Sequence, residues 1–170
     1  MDKQIFRKDK QDKNIMRREK YILEVENLTW SELGEEAKST ILRAKENSGK
    51  AYSPYSKFSV GAAILLNDGN LIDGNNQENI AYPSGLCAER VAVFSAGATH
   101  PDVPIKILAI AAQTDGKFTD NPISPCGACR QVLSECETRY GQEMEIYLFG
   151  EKYIYHIHGA KHLLPITFSF

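Results

Sequence analysis

The run Ile105-Lys106-Ile107-Leu108-Ala109-Ile110-Ala111-Ala112 is nearly all apolar. A strand without a polar side is one covered on both faces of its sheet, so this run belongs at the centre of the fold. Downstream, Ser124-Pro125 suits the cap and first position of a helix that runs through Val132 and Leu133 toward Tyr140, which places Cys126 and Cys129 in its first turn. A short strand over Glu145 to Phe149 follows. Upstream, a helix starts almost at Cys87 and extends to about Ala98, with Cys87, Val91 and Phe94 on or near one face. Before it, Phe58, Val60, Ala62, Ile64 and Leu66 alternate with small or polar residues, then the turn Asn67-Asp68-Gly69-Asn70 and the run Leu71-Ile72 complete a β-hairpin. Thr29-Trp30-Ser31-Glu32 has the pattern of a capping box opening a helix with Leu33, Ala37, Ile41 and Ala44 on one face, up to Ser48-Gly49. Helix–strand alternation through the second half argues for an α/β sandwich. The tract from Tyr153 to Phe170 is aromatic and apolar enough to pack on the body.

A chain of 170 residues with 42% hydrophobic and 25% charged residues has the size and composition of one ordinary globular domain. No apolar run approaches the ~20 residues of a membrane span, and no secretory h-region stands at the N-terminus, so a cytoplasmic protein without membrane contact is expected. Net charge is −2, unevenly spread. The first twenty residues hold eight Lys/Arg against four Asp/Glu, leaving twelve against eighteen, or −6, for the rest. Residues 1–28 therefore read as a basic N-terminal extension and 29–170 as the domain. Asp2, Asp9 and Asp12 break the acid-poor pattern of a transit peptide. The acidic body lacks the basic stripe that nucleic-acid binding requires, which favours a small-molecule substrate.

Three of the four cysteines have a spacing that suits zinc. Catalytic zinc takes three protein ligands and keeps a fourth position for water. Cys126 and Cys129, three apart on a helix, put both sulfurs on one face, and Cys87 comes from the start of the preceding helix. Two helix N-termini then converge on one ion, and their partial positive charge favours thiolates. Alone, Cys126-x-x-Cys129 would read as a redox pair or half of a structural four-cysteine site. Cys136 cannot complete such a site, because two helical turns of rise (~10 Å) separate it from Cys129, and it is expected in the core. Glu89, two residues after Cys87, is free to move protons. Cys87-Ala88-Glu89 followed by Pro125-Cys126-Gly127-Ala128-Cys129 has the layout in which zinc activates water and a non-ligand glutamate serves as general acid and base. Three thiolates on Zn²⁺ sum to −1, and Arg90 is the nearby cation expected to restore the acidity of the water. The four histidines stand outside every motif and read as surface or interface residues.

Five blocks in order carry a resemblance. They are Ser53-Pro54-Tyr55-Ser56-Lys57-Phe58-Ser59-Val60-Gly61-Ala62-Ala63, Gly74-Asn75-Asn76-Gln77-Glu78-Asn79, the two cysteine motifs extended to Arg90 and to Arg130-Gln131, and Leu163-Leu164-Pro165-Ile166-Thr167-Phe168. From Ala51 to Phe168 the chain resembles the short, all-cysteine branch of the cytidine deaminases. The resemblance implies a three-layer α/β/α sandwich with a central mixed sheet and one Zn²⁺ per subunit. It implies hydrolytic deamination of free cytidine and 2′-deoxycytidine in pyrimidine salvage. Asn76 and Glu78 would bind the ribose 3′-hydroxyl, and Phe58 would line the pyrimidine and ribose pocket. The backbone N–H of Ala88, at a helix start, would hold the ring carbonyl. It further implies a homotetramer in which Phe168 and Tyr82 are lent to a neighbour's pocket. Two other readings stand beside this one: a deaminase of a blasticidin-type nucleoside, and a non-catalytic module stabilised by zinc.

Overall fold

In the computed structural model, which describes residues 18–169, the apolar run forms the central strand β4 (Ile105–Thr114). Strand β2 (Phe58–Leu66) pairs with it antiparallel on one side, and β6 (Glu145–Phe149) pairs with it parallel on the other. Strand β3 (Leu71–Asn75) lies outside β2, and β7 (Ile154–His158) and β1 (Glu26–Leu28) extend the β6 side, giving the order β1-β7-β6-β4-β2-β3. The two-residue β5 (Lys117–Phe118) folds back on the end of β4. Helix α1 (Glu35–Ser48) covers one face, where Ala37, Ile41 and Ala44 meet Ala63, Ala109 and Ala111. Helices α2 (Ala88–Thr99) and α3 (Gly127–Tyr140) cover the other, where Ala92, Ala96 and Leu133 meet Ala62, Leu108, Ile110 and Ile146. Successive residues of β4 thus serve opposite cores, which explains a run with no polar side. The result is the mixed-sheet, three-layer sandwich that the sequence implied.

Local details depart from the expectations for identifiable reasons. The Thr29–Glu32 box forms, with the Glu32 carboxylate accepting the Thr29 N–H and hydroxyl, both at 2.7 Å. It closes only a 3-10 turn, Trp30–Glu32, and α1 starts later with Gly34 as its cap. Strand β2 does not alternate, because α1 covers its second face and every residue from Gly61 to Leu66 is buried. The buried side of α2 is Ala88, Ala92 and Ala96 with Glu89 and Val93, while Phe94 stays half exposed. Small residues win there because α2 lies close on β3: a Cβ on Gly74 would stand 2.4 Å from the Ala88 carbonyl oxygen. Helix α3 begins two residues later than Ser124-Pro125 suggested, so Cys126 is its N-cap. Cys136 is in the core as expected, and burial pushes its thiol up to about 11.

The end of the chain packs as β7, whose histidines are tied into the sheet edge. His156 stacks on Tyr147 (4.6 Å between centroids), meets Glu26 of β1 at 2.6 Å, and also bonds Glu145. The last three residues of the 1–28 stretch therefore form β1 on the edge of the sheet, while residues 1–17 lie outside the described ones. Among the described residues no helix is long and apolar enough to cross a membrane.

Strand β3 is fastened to α1 by Asp73, which accepts from Arg43 Nε (2.6 Å) and Nη2 (2.5 Å) and from Asn47 Nδ2 (2.8 Å). Burial pushes the Asp73 pKa up, but the hydrogen bonds from Arg43 and Asn47 outweigh it and hold the carboxyl below its ordinary value. A carboxyl lowered on folding stabilises the fold above its unfolded pKa, and the effect fades as pH falls through the folded pKa. Asp73→Asn should therefore cost at most about 1 kcal/mol near neutrality, given the solvent exposure of the pair. The deficit should shrink below roughly pH 4, as urea unfolding at several pH values would show. Gly74→Ala should cost about 1–3 kcal/mol through overpacking against α2, measured in the same way.

Candidate functional site

Cys87 and Cys126 are both helix N-caps with extended backbones (φ −71°, ψ 152° and φ −67°, ψ 166°). Their sulfurs stand 3.7 Å apart, and Cys129, one turn into α3, brings its sulfur to 3.4 Å from that of Cys126. These spacings exceed the ~2.05 Å of a disulfide. They approach the ~3.8 Å separating sulfurs that share a tetrahedral ion at about 2.3 Å. Among the described residues, these three form the one cluster of potential metal ligands with all donor atoms within 4.8 Å of one another. The donor set, three thiols at two helix N-termini, fits zinc.

The electrostatics of the cluster point the same way. Cys87 is drawn down to about 5 by its hydrogen bond with Cys129, and Arg90 and Cys126 add to the effect against the opposing cost of burial. Cys129 is pushed up by that same bond and by burial. Arg90 Nη2 reaches the Cys87 sulfur at 3.9 Å, which holds the guanidinium above its ordinary value. The Arg90 Nε is buried without a hydrogen-bond partner among the described residues. Glu89 is only 5% exposed, and burial followed by the nearby Cys87 charge raises its pKa.

A cavity of about 680 Å³ opens on the cluster, within the range of small-molecule sites. Cys87, Ala88, Glu89, Arg90 and Cys126 line its inner end, and Phe58, Asn76, Glu78 and Tyr82 line the rest. Cys129 lies behind this surface, fully buried. Asn76 is already engaged with β2: its Oδ1 accepts the Val60 N–H at 2.8 Å and its Nδ2 donates to the Phe58 carbonyl at 2.9 Å. That leaves one amide hydrogen and spare lone pairs for a ligand. Glu78 accepts the backbone N–H of Tyr55 (2.9 Å) and Ser56 (3.3 Å), and hydrogen bonding from Ser56 lowers its pKa despite burial. Tyr82 is 75% exposed at the mouth, edge-on to Tyr55. Phe168, 72% exposed, is not among the residues lining the cavity of its own chain.

A second cavity, about 440 Å³ between α2 and α3, is mostly apolar and touches none of the three clustered sulfurs. The chemistry belongs to the first. The sequence reading assigned no role to Gln77, Asn79, Ile123 and Ser124, which also line that first cavity. It also gave none to Arg130, whose Nε donates to the Pro125 carbonyl (2.8 Å) and Nη1 to the Leu163 carbonyl (3.0 Å). Its place directly after Cys129, inside a quoted motif, was the available signal.

The chain is similar to known proteins. Residues 35–141 match the family model described as the cytidine and deoxycytidylate deaminase zinc-binding region. The cytidine deaminase of Sporosarcina psychrophila is 43% identical over 130 residues, which span 76% of this chain and 88% of that protein. A crystal structure of cytidine deaminase from Burkholderia pseudomallei superposes with a TM-score of 0.66 at 37% identity, covering 80% of this chain and all of that one. The Mycobacterium tuberculosis cytidine deaminase structure gives 0.61 at 32% identity over 78% and 97% of the two chains. Elemental analysis of the purified protein should find one zinc per chain. Cys129→Ala, which removes the most buried sulfur, should weaken retention at least ten-fold in competition with a chromogenic chelator.

Proposed function

The chain belongs to the family of deaminases that share the cytidine and deoxycytidylate zinc-binding region, and from that membership we propose that it hydrolytically deaminates cytidine and 2′-deoxycytidine. Uridine or 2′-deoxyuridine and ammonia are the products, and zinc is the cofactor. The observation that carries this reading is a buried carboxyl, Glu89, lining the same cavity as the sulfurs of Cys87 and Cys126, with Cys129 behind them. Cys87, Cys126 and Cys129 are the proposed ligands of one ion. Zinc held there supplies a Lewis acid that makes water acidic enough to act near neutral pH.

Glu89 does the proton work. Its carboxylate takes a proton from water and gives it to ring N3 as the oxygen bonds to C4, so that C4 becomes tetrahedral. It then carries the hydroxyl proton to the 4-amino group, which leaves as ammonia while the C4 carbonyl forms. Arg90, beside the Cys87 sulfur, offsets the negative charge of three thiolates. The Ala88 N–H, at the first position of α2, is the proposed donor to the ring carbonyl. Asn76 and Glu78 hold the ribose hydroxyl with the capacity their backbone contacts leave, and Phe58 walls the base and sugar.

The proposed assembly is a homotetramer with Phe168 and Tyr82 lent between subunits. It is supported by the high exposure of both rings and of Ile80 (80%) and Ile166 (72%) near them in sequence. The proposed setting is pyrimidine salvage in the cytoplasm, with neither nucleic acid nor membrane as a partner. Loss of pyrimidine absorbance with cytidine and deoxycytidine tests the substrate assignment. Turnover confined to cytosine, to monophosphates or to a blasticidin-type nucleoside contradicts it, and a zinc-loaded protein inert to all of them is the non-catalytic module. Glu89→Gln should keep one zinc per chain and bind cytidine, yet lose about 10²–10⁴ in kcat; parental turnover would remove Glu89 from its role.

A further inference from the structure

Gln131 follows Arg130 on α3, two residues after Cys129, and its side-chain amide brackets one residue of the C-terminal tail. Its Oε1 accepts the Phe168 N–H at 3.0 Å, and its Nε2 donates to the Phe168 carbonyl at 3.0 Å. This reproduces, with a side chain, the exchange of two hydrogen bonds by which paired strand residues hold each other in register. The tail here has no regular structure of its own to fix it. Its upstream anchor, the Leu163 carbonyl on Arg130, lies five residues away. The bracketed residue meanwhile stays 72% exposed.

We infer that Gln131 is a positioning residue: it locks the main chain of Phe168 onto the helix that carries Cys126 and Cys129, and so sets where the Phe168 ring is presented to a substrate pocket. The inference rests on the proposed role of Phe168 in a neighbour's site. Arg130 and Gln131 together bind the tail at two points to the first turns of α3, the element that also holds two of the three sulfurs. An aromatic wall fixed to the helix that carries the ligands keeps a constant place relative to the reacting centre. A wall on a loose tail would lose part of its contact to conformational freedom.

Gln131→Met keeps the length of the side chain and removes both hydrogen bonds. Hydrogen exchange over residues 164–169 should then accelerate on the order of ten-fold, as expected for two ordinary hydrogen bonds. KM for cytidine should rise toward that of Phe168→Ala while kcat and zinc content change little, and the double variant should be no worse than Phe168→Ala alone. Gln131→Glu keeps the acceptor for the Phe168 N–H and loses the donor, so its KM should fall between parent and Gln131→Met; it also serves if the Met variant folds poorly. A parental KM in both Gln131 variants, or losses that add fully to those of Phe168→Ala, overturns the positioning role and leaves the Phe168 reading intact. A parental KM in Phe168→Ala overturns that reading, and this inference with it.

Discussion

Everything at the site depends on two helices beginning at the same place. Helix α2 leads into the start of β4 through a short loop, and α3 leaves the end of β4 and leads to β6, parallel to it. Both helices therefore run against β4, and both N-termini lie beside its C-terminal end. That edge is where α/β sheets bind ligands, because helix starts offer free N–H groups and partial positive charge. Three thiolates around the proposed zinc would carry a net negative charge, and two helix starts together with Arg90 are the groups proposed to offset it. The parallel pairing of β4 and β6 is thus a condition of the chemistry as well as of the core, since an antiparallel β6 would turn α3 around.

The second condition is close approach. Glycine at position 74 lets the start of α2 sit directly on β3, and the small side chains of Ala88, Ala92 and Ala96 keep the helix there. The same contact seats Cys87 and carries Glu89 into a place that water barely reaches. A carboxyl so buried costs stability unless its environment compensates, and such violations of the burial rule concentrate where a protein acts. Opposite it, Asn76 and Glu78 are held by backbone groups of the segment from Tyr55 to Val60. Their polar atoms are preorganised by the hairpin before any ligand arrives.

The cysteines were legible in the sequence because their geometry is local: an N-cap and the residue three further on share a face wherever the helix starts. The central strand was legible because burial on both faces removes the polar period. The start of α3 was misread because Ser124-Pro125 is a sound capping signal, yet the Pro125 carbonyl is taken by Arg130 and the helix opens two residues later, with Cys126 as its cap. Phe94 was placed on the wrong side because periodicity ranks large apolar residues first, whereas contact with Gly74 selects small ones. Strand β7 was hidden because its buried residues, Ile154 and Ile157, do not alternate, and half-buried His156 and exposed His158 find their carboxylate neighbours on β1 and in the β6 region. Without alternation there is no local period to read, although β7 closes a short hairpin with β6.

The C-terminal tail shows how a fold can supply an aromatic group without building an element for it. Arg130 and Gln131 are consecutive residues on one helix, so their side chains leave it about 100° apart. One reaches the Leu163 carbonyl and the other both main-chain groups of Phe168, which is enough to lay an irregular segment along α3. The zinc motif and the tail are therefore joined in space, although some thirty residues of helix, strand and turn separate them in sequence. The helix that carries two of the three sulfurs is itself packed on the core through Leu133 and Cys136. Attaching the tail to it gives an exposed ring a defined position without adding a second core, and a ring so placed can serve a surface beyond its own chain.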